Sequence, residues 1–118
     1  MSKTTIVDFY QVDQSDQPVV LNVIIGYAQN AVTTVKINSL NMGDYERSFN
    51  LVLGNNKELV NKELFCFTTV HDINPDTNKT SVSVTLTGGV QPYEGNMDVS
   101  VSSNGGIASY TIHIGFFN

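Results

Sequence analysis

Residues 18–29, PVVLNVIIGYAQ, decide the fold. On an extended chain Val19, Leu21 and Val23 share one side, and that side is wholly apolar. The other side, which includes Val20, is largely apolar as well. The β-branched residues in this run favour an extended chain over a helix. The stretch therefore predicts a central strand of a β-sandwich, with both of its faces at least partly covered.

Alternating apolar and polar residues predict further strands along the whole chain. Turn-forming residues separate the strands at intervals of about a dozen residues. Residues 41–46 and 88–96 are interpreted as loops, 55–62 as the site of a helical turn, and 104–106 as a hairpin turn. The predicted strands are 4–13, 18–29, 31–39, 47–54, 64–71, 80–87, 97–102 and 108–117.

Seven or eight such strands predict a single all-β domain over residues 1–118, an antiparallel β-sandwich. We favour immunoglobulin-like connectivity, with a jelly roll or another Greek key as the alternatives. The cysteine and tryptophan framework of antibody domains is absent, since the chain has one cysteine and no tryptophan. The expected core residues are Val23, Ile25, Val35, Ile37, Leu51, Val82, Val84, Val99, Ile112 and Ile114.

The chain is acidic, with a formal net charge of −5 at pH 7, and its six basic residues are scattered. A basic stripe that would bind phosphates is missing, so nucleic acid and anionic membranes are not expected partners. Membrane insertion is not expected either, because spanning a bilayer takes about 20 apolar residues. The first ten residues lack the apolar stretch of a signal peptide. We therefore expect a soluble protein that is cytoplasmic, or exported without a cleavable signal peptide.

Sequence motifs of catalysis are not found. The chain has no G-x-S-x-G elbow, phosphate-binding glycine loop or H-E-x-x-H pair. His71 and His113 have no second ligand at a recognised metal spacing. Cys66 is interpreted as a buried, unreactive residue. We therefore expect a protein that is not an enzyme and that uses no cofactor and no metal.

Residues 72–78, DINPDTN, place an oxygen-bearing side chain at every second position, as a calcium loop does. An EF-hand loop that began at Asp72 would need Gly at its sixth position and Glu at its twelfth. Those positions hold Thr77 and Ser83, so the EF-hand interpretation fails. A plain turn is favoured, and a calcium site shared with another loop is left open.

Two predicted loops each carry a Tyr-Glu pair, Tyr45-Glu46 and Tyr93-Glu94. A tyrosine in a loop offers a flat ring face and a hydroxyl, which suit stacking on a sugar or packing into a partner. Each ring could instead fold back over an end of the sandwich as a lid. These four residues are candidate binding residues.

Three phenylalanines give the clearest pointer to function. If Cys66 faces the core, Phe65 and Phe67 face outward on the same strand, and Phe117 does so on the last strand. Apolar side chains on an outer sheet face usually need to be covered, for example by another chain.

The predicted function is non-enzymatic protein–protein contact, as a homo-oligomeric assembly subunit or as a modulator of a different protein. The alternative is a small carbohydrate- or ligand-binding module that uses the loop tyrosines, with a glycan as the ligand.

Overall fold

The computed structural model describes residues 4–118, and nearly all of its regular structure is β-strand. A short helix, α1, spans Asn56–Leu59 and follows the fifth strand. The strands are β1 Thr5–Gln11, β2 Pro18–Ile25, β3 Asn30–Ile37, β4 Leu40–Glu46, β5 Phe49–Asn55, β6 Glu63–His71, β7 Lys79–Thr87, β8 Tyr93–Ser100 and β9 Ile107–Phe117.

The strands form two packed sheets. The front sheet has five strands in the order β1-β9-β6-β3-β4, and the back sheet has four in the order β5-β2-β7-β8. Within residues 4–118, β1 and β9 pair in parallel and the other neighbours pair antiparallel. The predicted antiparallel β-sandwich is confirmed.

The immunoglobulin-like connectivity is not confirmed. In an immunoglobulin domain the last two strands share a sheet, whereas β8 lies in the back sheet and β9 in the front sheet. The turn at 104–106 therefore crosses between the sheets, which corrects the prediction of a hairpin there. Its backbone bonds to the end of β6 instead, since Gly105 N donates to Asp72 O and Asp72 N donates to Gly106 O.

Strand β2 lies at the centre of the back sheet, between β5 and β7, as its sequence predicts. Val19, Leu21 and Val23 are fully buried. The strand ends at Ile25, earlier than predicted, because the next residues turn the chain. Tyr27 and Ala28 have φ of 60° and 54°, which is the left-handed region rather than the extended one.

The two predicted loops were placed wrongly. Residues 40–46 form β4, and β8 begins at Tyr93 in the middle of the segment interpreted as the longest loop. Both strands are sheet edges, and their polar residues hide the alternation that identifies the central strands. The helical turn is confirmed, and its N-cap is Asn55, whose Oδ1 accepts from Glu58 N at 2.9 Å.

The core lies between the sheets and contains seven of the ten expected residues. Ile25, Leu51 and Val99 are half-buried and pack against it, and the other seven are buried. Two threonines inside the core are paired: Thr33 Oγ1 lies 2.8 Å from Thr68 Oγ1 across β3 and β6. This pairing satisfies both buried hydroxyls.

Cys66 lies at the centre of the front sheet with none of its surface exposed. Burial raises the pKa of its thiol to about 12, so the reactive thiolate is scarce at neutral pH. We expect a maleimide reagent to leave Cys66 unlabelled in the folded protein and to label it completely in denaturant. Mass spectrometry after short exposure measures both. Rapid labelling under native conditions, with the circular dichroism spectrum unchanged, would contradict this expectation.

Candidate functional site

Three adjacent strands of the front sheet, β1, β9 and β6, present apolar side chains outward. In the backbone pairing, His113 of β9 lies between Val7 of β1 on one side and Phe65 of β6 on the other. Because successive side chains alternate between faces, every second residue from these positions joins the same outer surface. We call this surface the aromatic strip, and it consists of Val7, Phe9, Phe65, Phe67, His113 and Phe117.

Most of the strip is open to solvent. Val7 and Phe9 are each 69% exposed, Phe67 is 46% exposed and Phe117 is 43% exposed. Phe65 is half-buried. At about 200 Å² for a whole aromatic side chain, the exposed parts of the three most accessible rings amount to about 300 Å². Contiguous apolar patches of this size are often interaction sites.

Contacts within the strip hold its rings in place. Phe65 stacks on His113 with 4.4 Å between ring centroids, and His113 Nε2 lies 2.8 Å from Glu63 Oε1. Phe9 meets Phe117 edge to face at 6.5 Å. The ring of Phe9 lies over Gly115, where a Cβ atom would come within 3.2 Å of it. These contacts fix Phe65, His113, Phe9 and Phe117, so most of the strip is preformed.

The strip is elongated. From Thr111 to Phe117, β9 extends about 20 Å at about 3.3 Å per residue, and β1 lies about 10 Å from β6 at about 4.8 Å per strand. The neighbouring strands β3 and β4 carry a mainly polar surface, in which Val32 is the exposed apolar side chain of β3. There Thr34 Oγ1 donates to Asp44 Oδ1 at 2.6 Å, and Lys36 pairs with Phe65 across the strand boundary. The outer face thus has an aromatic half and a polar half.

Three of the predicted site residues meet in the strip. Phe65, Phe67 and Phe117 share the outer face of the front sheet. The prediction missed Val7 and Phe9 as members of the site. Alternation along the first strand does assign both to its outward side, but the parallel pairing of β1 with β9, about a hundred residues away in the chain, leaves no local trace in the sequence.

The placement of Tyr45 in a loop was wrong. Tyr45 lies on β4, and its ring stacks on Phe49 of β5 at 4.5 Å with 14° between the planes. Its hydroxyl donates to Met42 O at 2.6 Å. The residue therefore closes one side of the sandwich, where the front sheet meets the back sheet. Glu46 beside it is exposed.

Tyr93 closes the opposite side, and its placement in a loop was wrong as well. It lies on β8, with its ring edge to face with Tyr10 at 6.4 Å. Its hydroxyl donates to Asp8 Oδ2 at 3.0 Å. Burial and the Asp8 carboxylate raise the pKa of Tyr93 to about 12. Tyr93 and the exposed Glu94 thus lie across the width of the sandwich from Tyr45 and Glu46.

The side chain of Gln29 organises the segment from Asp72 to Lys79. It is 5% exposed, and its Nε2 donates to Asp72 Oδ1 at 2.9 Å and to Lys79 O at 3.0 Å. Its Oε1 accepts from the backbone N of Ile73 and of Asn74, both at 2.9 Å. One glutamine thus binds the segment at both of its ends.

Oxygen atoms of the 72–78 segment serve the turn itself. Asn74 Oδ1 accepts from Asp76 N at 3.0 Å, and Thr77 Oγ1 accepts from Lys79 N at 3.1 Å. Asp72 is 2% exposed, and its Oδ2 has no hydrogen-bond partner within residues 4–118. Over the same residues no group of three or more His, Cys, Asp and Glu side chains is arranged to hold a metal ion. The side-chain oxygens of Asn74 and Thr77 thus hold the turn itself.

Comparisons of the chain with models of known protein families, with curated proteins and with solved structures found no match. In the described part of the chain, no helix has both the length and the apolar character needed to cross a membrane.

Proposed function

We propose that this protein acts without catalysis, through protein–protein contact made by the aromatic strip. The observation that carries the proposal is the contiguous exposure of Val7, Phe9, Phe67 and Phe117 on one sheet face. Covering these side chains would remove apolar surface from water, which is the main driving force of protein association. A β-sandwich of this size has no structural need for aromatic rings outside its core.

The composition of the outer face supports this proposal. Interfaces typically have an aromatic centre depleted in charge and a polar rim. The strip supplies such a centre, and Lys36, Asp44 and the exposed Glu46 lie on the strands beside it. The stacked and edge-to-face rings are already ordered, so binding would restrict few additional rotamers.

The sugar-binding alternative has less support. It depended on two tyrosines with free ring faces, and both rings are engaged within the sandwich. Tyr45 stacks on Phe49, and Tyr93 contacts Tyr10 and Asp8. The two tyrosines also lie on opposite sides of the molecule, so they do not form a common platform.

Photocrosslinking in cells that produce the protein tests the proposed contact. Phe67 is replaced by p-benzoylphenylalanine, and the matched control carries the same residue at Val52, which is 55% exposed on the back sheet. We expect irradiation to join position 67 to a protein and to leave position 52 largely unlinked. Equal yields at the two positions, or none at position 67, would overturn the proposal.

A further inference from the structure

We infer that the partner on the aromatic strip is a second copy of this chain, packed front sheet to front sheet. The inference rests on the proposed function and names the occupant of the same surface. Three properties of the outer face carry it: its area, its division into an aromatic and a polar half, and its distribution of charge.

The area of the face matches a stable dimer. Five strands about 4.8 Å apart, with lengths of about 30 Å, give a projected face of about 700 Å². Each partner in an interface of standard size buries about 800 Å². A second front sheet has the same width, length and twist, so it can cover the whole face. Sheets packed in this way lie about 10 Å apart, as in any β-sandwich.

The two halves of the face suit a symmetric contact. A two-fold axis in the plane of the interface can bring strip against strip, so that the rings of one copy pack on those of the other. The polar surfaces of β3 and β4 then lie beside the aromatic centre, and the edge strand β4, which carries Asp44, forms the rim. This is the distribution of apolar and polar area that interfaces show.

The strip itself has little charge that would select a cationic partner. Glu63 is the carboxylate on the outward register of β1, β9 and β6, and it is already engaged by His113 at 2.8 Å. Glu63 lies at the start of β6 with its side chain 51% exposed, so the aromatic centre of the strip carries no carboxylate of its own. Two copies, each with a net charge of −5, repel one another mainly at long range. Salt screens that repulsion, because the Debye length falls to about 8 Å at physiological ionic strength.

Light scattering on the purified chain, over a range from about 1 µM to about 1 mM, tests the inference. We expect a dimer of twice 12.9 kDa that dissociates on dilution and is strengthened by added salt. Phe67→Ser and Phe9→Ser should each raise the dissociation constant at least about thirtyfold. Val52→Ser, on the back sheet, is the matched control and should leave it unchanged. Circular dichroism establishes that each variant is folded.

A second measurement needs no variant. In NMR spectra of the unmodified chain, the amide signals that move with concentration should belong to β1, β9 and β6. In light scattering, a monomer at every concentration would overturn the inference, and so would equal dissociation constants for Phe67→Ser and Val52→Ser. In the NMR spectra, concentration-dependent shifts confined to β2 and β7 would overturn it as well.

The crosslinking and scattering experiments separate the two proposals. A monomeric chain whose position 67 crosslinks to a different protein would refute the second copy and leave the proposed contact standing. A monomeric chain without any crosslinked protein at position 67 would refute both.

Discussion

Replacing Gln29 by Met is expected to lower the free energy of unfolding by about 4–6 kcal/mol. Methionine has nearly the same shape but makes none of the hydrogen bonds of the amide. The change removes the contacts of Nε2 with Asp72 Oδ1 and Lys79 O, and those of Oε1 with two backbone amides. Partly exposed backbone groups can bind water instead, but the 2% exposed carboxylate of Asp72 cannot readily do so.

Asp72 accounts for much of the expected loss. Its Oδ2 already lacks a partner within residues 4–118, so without Gln29 both carboxylate oxygens would be unpaired in the interior. A buried charge without hydrogen bonds is among the most destabilising arrangements in a folded protein. Gln29→Met should therefore cost less when Asp72→Asn is also present, because the charge has then been removed.

Urea denaturation of the two single variants and the double variant measures this coupling. The control is Gln91→Met at an exposed glutamine, where a change of about 0.5 kcal/mol or less is expected. If Gln29→Met lowers the free energy of unfolding no more than Gln91→Met does, the stability of the 72–79 segment does not depend on the amide of Gln29.

The second large effect is expected at Gly88, where Ala should destabilise the fold by about 4 kcal/mol or more. Gly88 has a φ of +98°, and an added Cβ atom would lie 2.0 Å from the carbonyl oxygen of Pro18. That oxygen belongs to the backbone at the start of β2, so no side chain can rotate to make room. Relief requires a shift of β2 or of the loop itself.

Gly105 is the matched control for Gly88. Its φ is +81°, but an added Cβ atom there meets nothing within 4 Å. Gly105→Ala therefore reports the backbone strain alone, about 1 kcal/mol. The loss at Gly88 is comparable to the total stability of many domains, about 5–15 kcal/mol, so this variant should be largely unfolded or unfold at low urea. Similar urea midpoints for Gly88→Ala and Gly105→Ala would show that the loop at Gly88 shifts easily to accommodate the added methyl group.

The central strands were predictable from the local sequence because each of them has a neighbouring strand on both sides and therefore buries more of its side chains. β2 and β6 have partners on each side, so their apolar residues are continuous or alternate strictly. The same alternation correctly assigned Phe65 and Phe67 to the outer face. Edge strands such as β4 and β8 have less to bury, and their polar residues resemble those of loops.

Strand pairing was beyond local reasoning. Alternation states which side of a strand is apolar, but it does not state which strand lies beside it. The contacts of Tyr93 with Asp8, and of Phe9 with Phe117, join segments far apart in the chain. The strip and the sites of both tyrosines depend on such pairs, so they became visible only with the assembled sheets.

The position of β9 has a consequence for synthesis on the ribosome. β9 lies between β1 and β6, yet it follows the other strands in the chain. Until residues 107–117 leave the exit tunnel, β1 has no neighbour in the front sheet and one edge of β6 stays open. The nascent chain can form the hairpin of β7 and β8, but it cannot close the front sheet progressively. β1 therefore gains its neighbour only after β9 has been made, and until then β6 keeps an open edge of the kind at which strands of different chains associate.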